Sequence, residues 1–311
     1  SARAAKLRGA RGARGGAKLA SRMARRFEGA SLDGVTTDFT PGVVLEVAAC
    51  VRRIVAPNAS MMTGPGTNTY LIGDPVIAIV DPGPADSDHI ESIAAIAARA
   101  RCVLVTHTHA DHSPAAAYLA QRLGAQLIGR AAPADGRQDL SFVPSVQPQR
   151  NERFQLDGLT LVAIDTPGHA SNHVCYLLEQ TGLLFSGDHL LEGVTPVILS
   201  PDGDMAAYMD SLERLKEYSL RHIAPGHGRV FAQPMLAIDA VIAHRQHREA
   251  QVLAALRENG NVDTDFLLPI VYSDVLPELL PYARCSLEAH LIKLQHDGVC
   301  TRSGDVWCAY A

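Results

Sequence analysis

No CxxC pair occurs among the six cysteines, which stand apart at Cys50, Cys102, Cys175, Cys285, Cys300 and Cys308. Several lie inside strand-like apolar runs, so they read as reduced core residues of an intracellular, cytoplasmic protein. A disulfide between Cys300 and Cys308 across a hairpin is the second reading. No apolar run approaches the ~18 residues that a membrane span needs, so no membrane partner is expected. No repeat at a fixed period is visible. The first 26 residues hold no acidic residue at all, against nine basic ones. They also lack an apolar stretch of the kind that marks a secretory signal.

What is present fits a globular protein. With 47% hydrophobic and 20% charged residues, the 311-residue chain can bury a large core and is long enough for roughly two domains. Setting aside the nine basic residues of the tail leaves 19 basic against 33 acidic ones, so the formal charge of −5 becomes −14 for the rest. Residues 1–40 are read as a basic, flexible extension with no role in the chemistry. A transit segment, a nucleic-acid-touching arm and translated sequence upstream of a start at Met23 are the other readings of that tail.

Strand-like runs cover 43–47, 51–55, 69–73 and 76–80, and a helical pattern covers 88–100 with Asp86 or Ser87 as cap. A short apolar strand at 101–106 runs into His107-Thr108-His109-Ala110-Asp111-His112. Pro114 then opens a helix to 123. Strands follow at 126–128, 159–164, 174–178, 183–185 and 221–224, with a helix over 205–218. This order predicts an α/β sandwich over 41–233, with its chemistry on loops at strand ends. From 234 onward the pattern changes to long helices (235–259 and 285–297) and a small hairpin (298–302 with 306–310). That combination suggests a winged-helix-like module over 234–311.

His107 and His109 are two apart, so in an extended segment both imidazoles can meet one ion. Asp111 and His112 lie just beyond, within reach of a second. The remaining candidates each follow a strand and stand beside a glycine: Pro167-Gly168-His169, Ser186-Gly187-Asp188 and Pro225-Gly226-His227. Imidazole and carboxylate without thiolate suit zinc, iron or manganese rather than a cysteine-rich structural zinc site.

This order of residues, HxHxDH followed by His, Asp and His, resembles the metallo-β-lactamase superfamily and implies its αββα sandwich. The resemblance implies two divalent ions, zinc first, with iron or manganese served by the same donors. His107, His109 and His169 would hold one ion, Asp111, His112 and His227 the other, and Asp188 would bridge them. A shared hydroxide would then perform hydrolysis without a covalent protein intermediate, with Asp111 and Asp188 in the catalytic set. Three further residues are candidates for support or substrate contact: Asp81, which in the family braces the ligand loop but also reads as a turn residue, His173 and Tyr208.

The segment 61–70 and the C-terminal module make the chain similar to the branch holding β-lactamase-like protein 2, close to glyoxalase II. In the superfamily, enzymes that open β-lactams generally lack an Asp at the place of Asp188, whereas thioesterases, lactonases and nucleases carry one. Hydrolysis of a thioester or ester of a small molecule is the first expectation. Cleavage of single-stranded RNA or another phosphodiester is the alternative, with lactone and β-lactam substrates behind both. The acidic body would repel a polyanion, and residues 240–311 carry six basic against nine acidic residues. The module is therefore read as a packing or dimerisation element, or a wall of the substrate pocket, and a homodimer stays open.

Overall fold

A computed structural model describes residues 38–310; the part of the basic extension before residue 38 lies outside them. Two six-stranded sheets are packed face to face. The first runs β1(Val44–Ala48), β2(Val51–Val55), β3(Asn68–Ile72), β4(Ala78–Val80), β5(Cys102–Leu104) and β6(Gln126–Ile128), in that spatial order. The second contains β7(Arg153–Leu156), β8(Leu159–Asp165), β9(Val174–Leu178), β10(Leu183–Gly187), β11(His222–Pro225) and β12(Phe231–Ala232), in the order β12-β11-β10-β9-β8-β7.

Alternation along the strands explains the layering. Ala78 and Val80 face the second sheet, whereas Ile79 between them faces outward; Cys102, Leu104 and Val103 repeat the pattern. Both faces are covered, so these strands are apolar throughout, as expected where β4, β5 and β6 pair in parallel. The outer layer on the first sheet is α1(Ser87–Ile96) with α2(Ala116–Leu123). Helix α1 buries His89, Ile90, Ile93 and Ala94 as one stripe, and Asp86 caps it by accepting from the His89 amide. On the second sheet lie α3(Met205–Leu215) and the first half of α4(Pro234–Asn259), where Tyr208, Leu212, Ile238 and Ile242 meet Val162, Leu177 and Ile223. The result is an αββα sandwich. Each fully buried Leu, Ile or Phe contributes about 1.5–3 kcal/mol.

The second half of α4 belongs to another core. With α5(Thr264–Val271), α6(Leu280–His296) and a sheet of β13(Val262–Asp263), β15(Val306–Ala309) and β14(Cys300–Ser303), it encloses Leu256, Leu267, Leu287, Leu291 and Trp307. This is a winged-helix arrangement. Cys300 faces Ala309 and Thr301 faces Cys308 across the hairpin, so the two cysteines are not opposite one another and form no disulfide.

Several boundaries differ from the sequence reading. Helix α2 starts at Ala116, not at Pro114, because the Ser113 and His112 amides are turned back onto the His109 carbonyl. Helix α1 ends at Ile96, where the Ala97 amide closes its last turn on the Ile93 carbonyl. Helix α6 starts five residues earlier than expected, with Pro281 in its first turn, where a missing N–H costs nothing. Helix α5, which contains Pro269, and the short strands β7, β12 and β13 were not anticipated.

Candidate metal centre

The seven candidate metal ligands all sit where strands of the sandwich end. The segment after β5 carries His107, His109, Asp111 and His112; β8 leads to His169, β10 to Asp188 and β11 to His227. Together they form two groups. In His107, His109 and His169, and in Asp111, His112, Asp188 and His227, one donor atom per residue lies within 4.8 Å of the others. Glycine permits the approach. A Cβ on Gly226 would stand 2.6 Å from both Asp188 Oδ1 and His112 Cε1. Likewise, a Cβ on Gly168 would stand 2.3 Å from Tyr208 Cα, so only glycine lets the His169 loop rest on α3.

Most of the imidazoles are aimed by what their other nitrogen does. His112 Nδ1 donates to Asp81 Oδ2 at 2.9 Å, His169 Nδ1 to the Val197 carbonyl at 2.8 Å and His227 Nδ1 to the Gly66 carbonyl at 3.2 Å. His107 Nδ1 donates to Thr106 Oγ1 at 3.1 Å, and that hydroxyl in turn donates to Asp81 Oδ2. In all four, Nε2 is left facing the centre. Such partners fix both tautomer and ring direction.

Asp81 is thus a brace for the ligand loop. It accepts from the Thr106 amide at 2.7 Å as well, it is 2% exposed, and it holds a left-handed backbone at φ 49°. Its own carbonyl accepts from Thr69 Oγ1, which is paired with His89 Nε2. His173 lies behind the centre, buried, with its ring stacked on His107 at 5.0 Å and its Nδ1 on Thr166 Oγ1. Tyr208 does not reach the donor atoms. It is fully buried on α3, and its hydroxyl donates to the His189 carbonyl at 2.9 Å.

The two groups differ in charge. Burial, followed by the imidazoles of His112, His109 and His173, holds His107 well below the usual histidine range. Burial and His169 push His109 to about 4. These rings are neutral and offer lone pairs. In the other group burial works against charge but is outweighed. Asp111, Asp188 and Asp81 hold His112 well above its ordinary value, and Asp188 with Asp111 carries His227 to about 9. The same histidines keep Asp111 and Asp188 ionised despite their burial.

These residues fit divalent cations. His107 Nε2 and His169 Nε2 both point at His109 Nδ1, at 2.9 and 3.0 Å. One proton cannot properly satisfy three converging nitrogens, whereas one cation can. In the second group His112 Nε2, His227 Nε2 and Asp188 Oδ1 are buried without a hydrogen-bond partner, an arrangement that costs free energy unless something else binds them. Asp188 faces both sides. Its Oδ1 lies 3.4 Å from His112 Nε2 and from His227 Nε2, and its Oδ2 lies 3.7 Å from His169 Nε2.

Sequence reasoning did not find Thr106, the Gly66 and Val197 carbonyls, or Asn68. The Asn68 amide side chain donates to the carbonyls of Pro225 and Gly228 at 2.9 Å each, holding the turn that presents His227. Backbone acceptors carry no sequence signal, and Asn68 is 157 residues from its partner Pro225.

Comparison with known proteins gives matches over both parts of the chain. The model of the metallo-beta-lactamase superfamily matches residues 62–227, and that of the beta-lactamase associated winged helix domain matches 264–307. A beta-lactamase-like protein 2 homolog of Drosophila melanogaster is 32% identical over 270 residues, covering 82% of this chain and 91% of the relative. An atrochrysone carboxyl ACP thioesterase of Aspergillus fumigatus is 33% identical over 213 residues, covering 67% of this chain and 65% of that protein. Among solved structures, a beta-lactamase domain protein from Burkholderia ambifaria has a TM-score of 0.73 at 21% identity, covering 87% of this chain and 94% of its own. A metallo-beta-lactamase family protein from Thermus thermophilus has 0.70 at 21% identity, covering 85% and 100%. At such identities these last two likenesses show the fold alone.

Proposed function

This chain belongs to the metallo-beta-lactamase superfamily and is a hydrolase; from that premise we propose that it works with two divalent ions on a thioester or ester of a small molecule. The observation that carries the two-ion reading is the placement of Asp188, with one carboxylate oxygen toward each donor group. Zinc, iron and manganese all suit the nitrogen and oxygen donors. Cations held there supply Lewis acidity, which lowers the pKa of water and draws electron density from a carbonyl.

The chain's own residues do the rest. Asp111 is the more open of the two carboxylates, its side chain 26% exposed against 13% for Asp188. His112 and His227 keep it ionised, so it can take a proton from the attacking water and return it to the departing thiol or alcohol. Water adds to the acyl carbon, the C–S or C–O bond breaks, and a carboxylic acid and the thiol or alcohol leave.

The surroundings favour an acyl substrate over a polyanion. Three loops that brace the centre carry exposed apolar side chains: Met61 and Met62 on the loop of Gly66, Leu140 and Val143 on the loop that pairs with Thr108 and Ser113, and Val194 on the loop of Val197. Arginines of the neighbouring segments are engaged, Arg130 with Asp165, Arg229 with Glu192 and Arg137 with the Ser200 carbonyl. The named thioesterase relative points the same way.

A paired turnover assay on metal-loaded protein tests the reading, with acyl thioesters followed by thiol release in one arm and labelled single-stranded RNA in the other. Asp111→Ala and His112→Ala serve as controls. Metal-dependent thiol release without RNA cleavage is expected. RNA cleavage that both controls abolish, without thiol release, would overturn the acyl reading in favour of a nuclease.

A further inference from the structure

A buried arginine in the first half of α4, where that helix packs on the sandwich, connects to the metal centre. Arg245 lies on α4, is 3% exposed, and has no carboxylate partner among the described residues. Instead, its Nη2 donates to the carbonyl of Pro196, and its guanidinium lies over the Tyr208 ring, 5.5 Å from the centroid. Residues 188–200 form neither helix nor strand, so no ladder fixes their path. Two of the groups that do fix it are Tyr208, which donates to the His189 carbonyl, and Arg245, which holds Pro196. Asp188 comes immediately before the first anchored residue, His189, and immediately after Pro196 comes Val197, whose carbonyl aims His169.

We propose that Arg245 is a positioning residue for the His107–His109–His169 group, acting through Pro196 and Val197 to hold the tautomer and direction of His169; this rests on the metal reading given above. A buried arginine without a counter-ion is costly, and its hydrogen bond to the Pro196 carbonyl goes to the residue next to the one that aims a metal-facing imidazole. Arg248, one turn further along α4, is the contrast. It is buried as well (6% exposed), but it pairs with Asp274, donates to the Val271 carbonyl and lies over the Tyr272 ring, all inside the module.

The test uses the full chain and measures zinc and cobalt affinity by competition with a chromophoric chelator, together with the melting temperature of the metal-free protein. Arg245→Met keeps the apolar stem and removes the donors. It is expected to weaken one of the two ions by about 10–100-fold, the range for loss of a partner that orients a ligand, while the other ion stays at wild-type affinity. Arg245→Lys, which keeps one donor, recovers part of that loss. Arg248→Met lowers the melting temperature at least as much as Arg245→Met and leaves both ions in place. Wild-type affinity for both ions in Arg245→Met would overturn the inference, and so would an equal loss in Arg248→Met, since the effect would then be general to the fold. Wild-type protein that binds no ion would instead overturn the metal reading itself.

Discussion

The two donor groups are built from similar parts and solve opposite problems. His107, His109 and His169 form an all-imidazole group in which burial holds His107 and His109 neutral, so those two rings offer lone pairs to a cation without first losing a proton. Asp111, His112, Asp188 and His227 form a group whose two carboxylates demand positive charge, which in the absence of an ion comes from protons on the histidines. The difference teaches that a carboxylate does more than add a ligand. It makes the second group compete with protons, and it leaves one ionised carboxylate, Asp111, more exposed than the other.

The largest effect that would break this comparison comes from the residue both groups share. Asp188→Ala should lose the ion of the carboxylate group and lower kcat/KM about a thousandfold or more, in line with several kcal/mol of lost charge stabilisation; metal analysis and thiol release check both parts. Next comes Gly226→Ala. Its Cβ would intrude on Asp188 Oδ1 and His112 Cε1, so bound metal should fall from two ions to one per chain, with turnover down about a hundredfold, as expected for a misplacement near 1 Å.

Asp81→Asn removes the anionic acceptor of His112 Nδ1 while keeping the size of the side chain. Affinity at the carboxylate group should weaken by about 10–100-fold, and the all-imidazole group should suffer less, because only His107 depends on Asp81 and does so through Thr106. Equal weakening of both would contradict the separation drawn here.

The smallest effect is one of pH. His227 is raised from 6.5 to about 9 in the metal-free protein, so its stabilising proton is fully present below 6.5 and is lost as pH rises through about 9. An ion must displace that proton as well as the one on His112, and the His227 proton alone makes affinity at this group climb by up to about tenfold per pH unit across that window. His107, held well below the usual histidine range, and His109, lowered to about 4, have no proton for an ion to displace over the same range, so affinity at their group should change less with pH. Chelator competition at pH 6.5, 7.5 and 8.5 separates the two.

Much of this was legible in the residues. Seven donors beside strand ends, four of them between His107 and His112, could be read because imidazole and carboxylate chemistry is visible in the side chain. The supports were not, because the Gly66 and Val197 carbonyls look like any others. Asp81 stood out only as a turn residue or by family likeness, whereas its bonds to Thr106 and His112 appear once β4 and β5 lie side by side. Tyr208 was legible as an aromatic on a helix, but its direction, away from the centre and onto the His189 carbonyl, depends on the packing of α3. Helix α5 was hidden by Pro269, and β12 and β13 by their length of two residues each.

Stepwise reconstitution tests the central claim most directly. Metal-free protein receives zinc in measured amounts per chain, and acyl-thioester turnover is read at each step. Little thiol release is expected through the first equivalent, and a steep rise through the second. Full turnover at one equivalent, unchanged by the second, would contradict it.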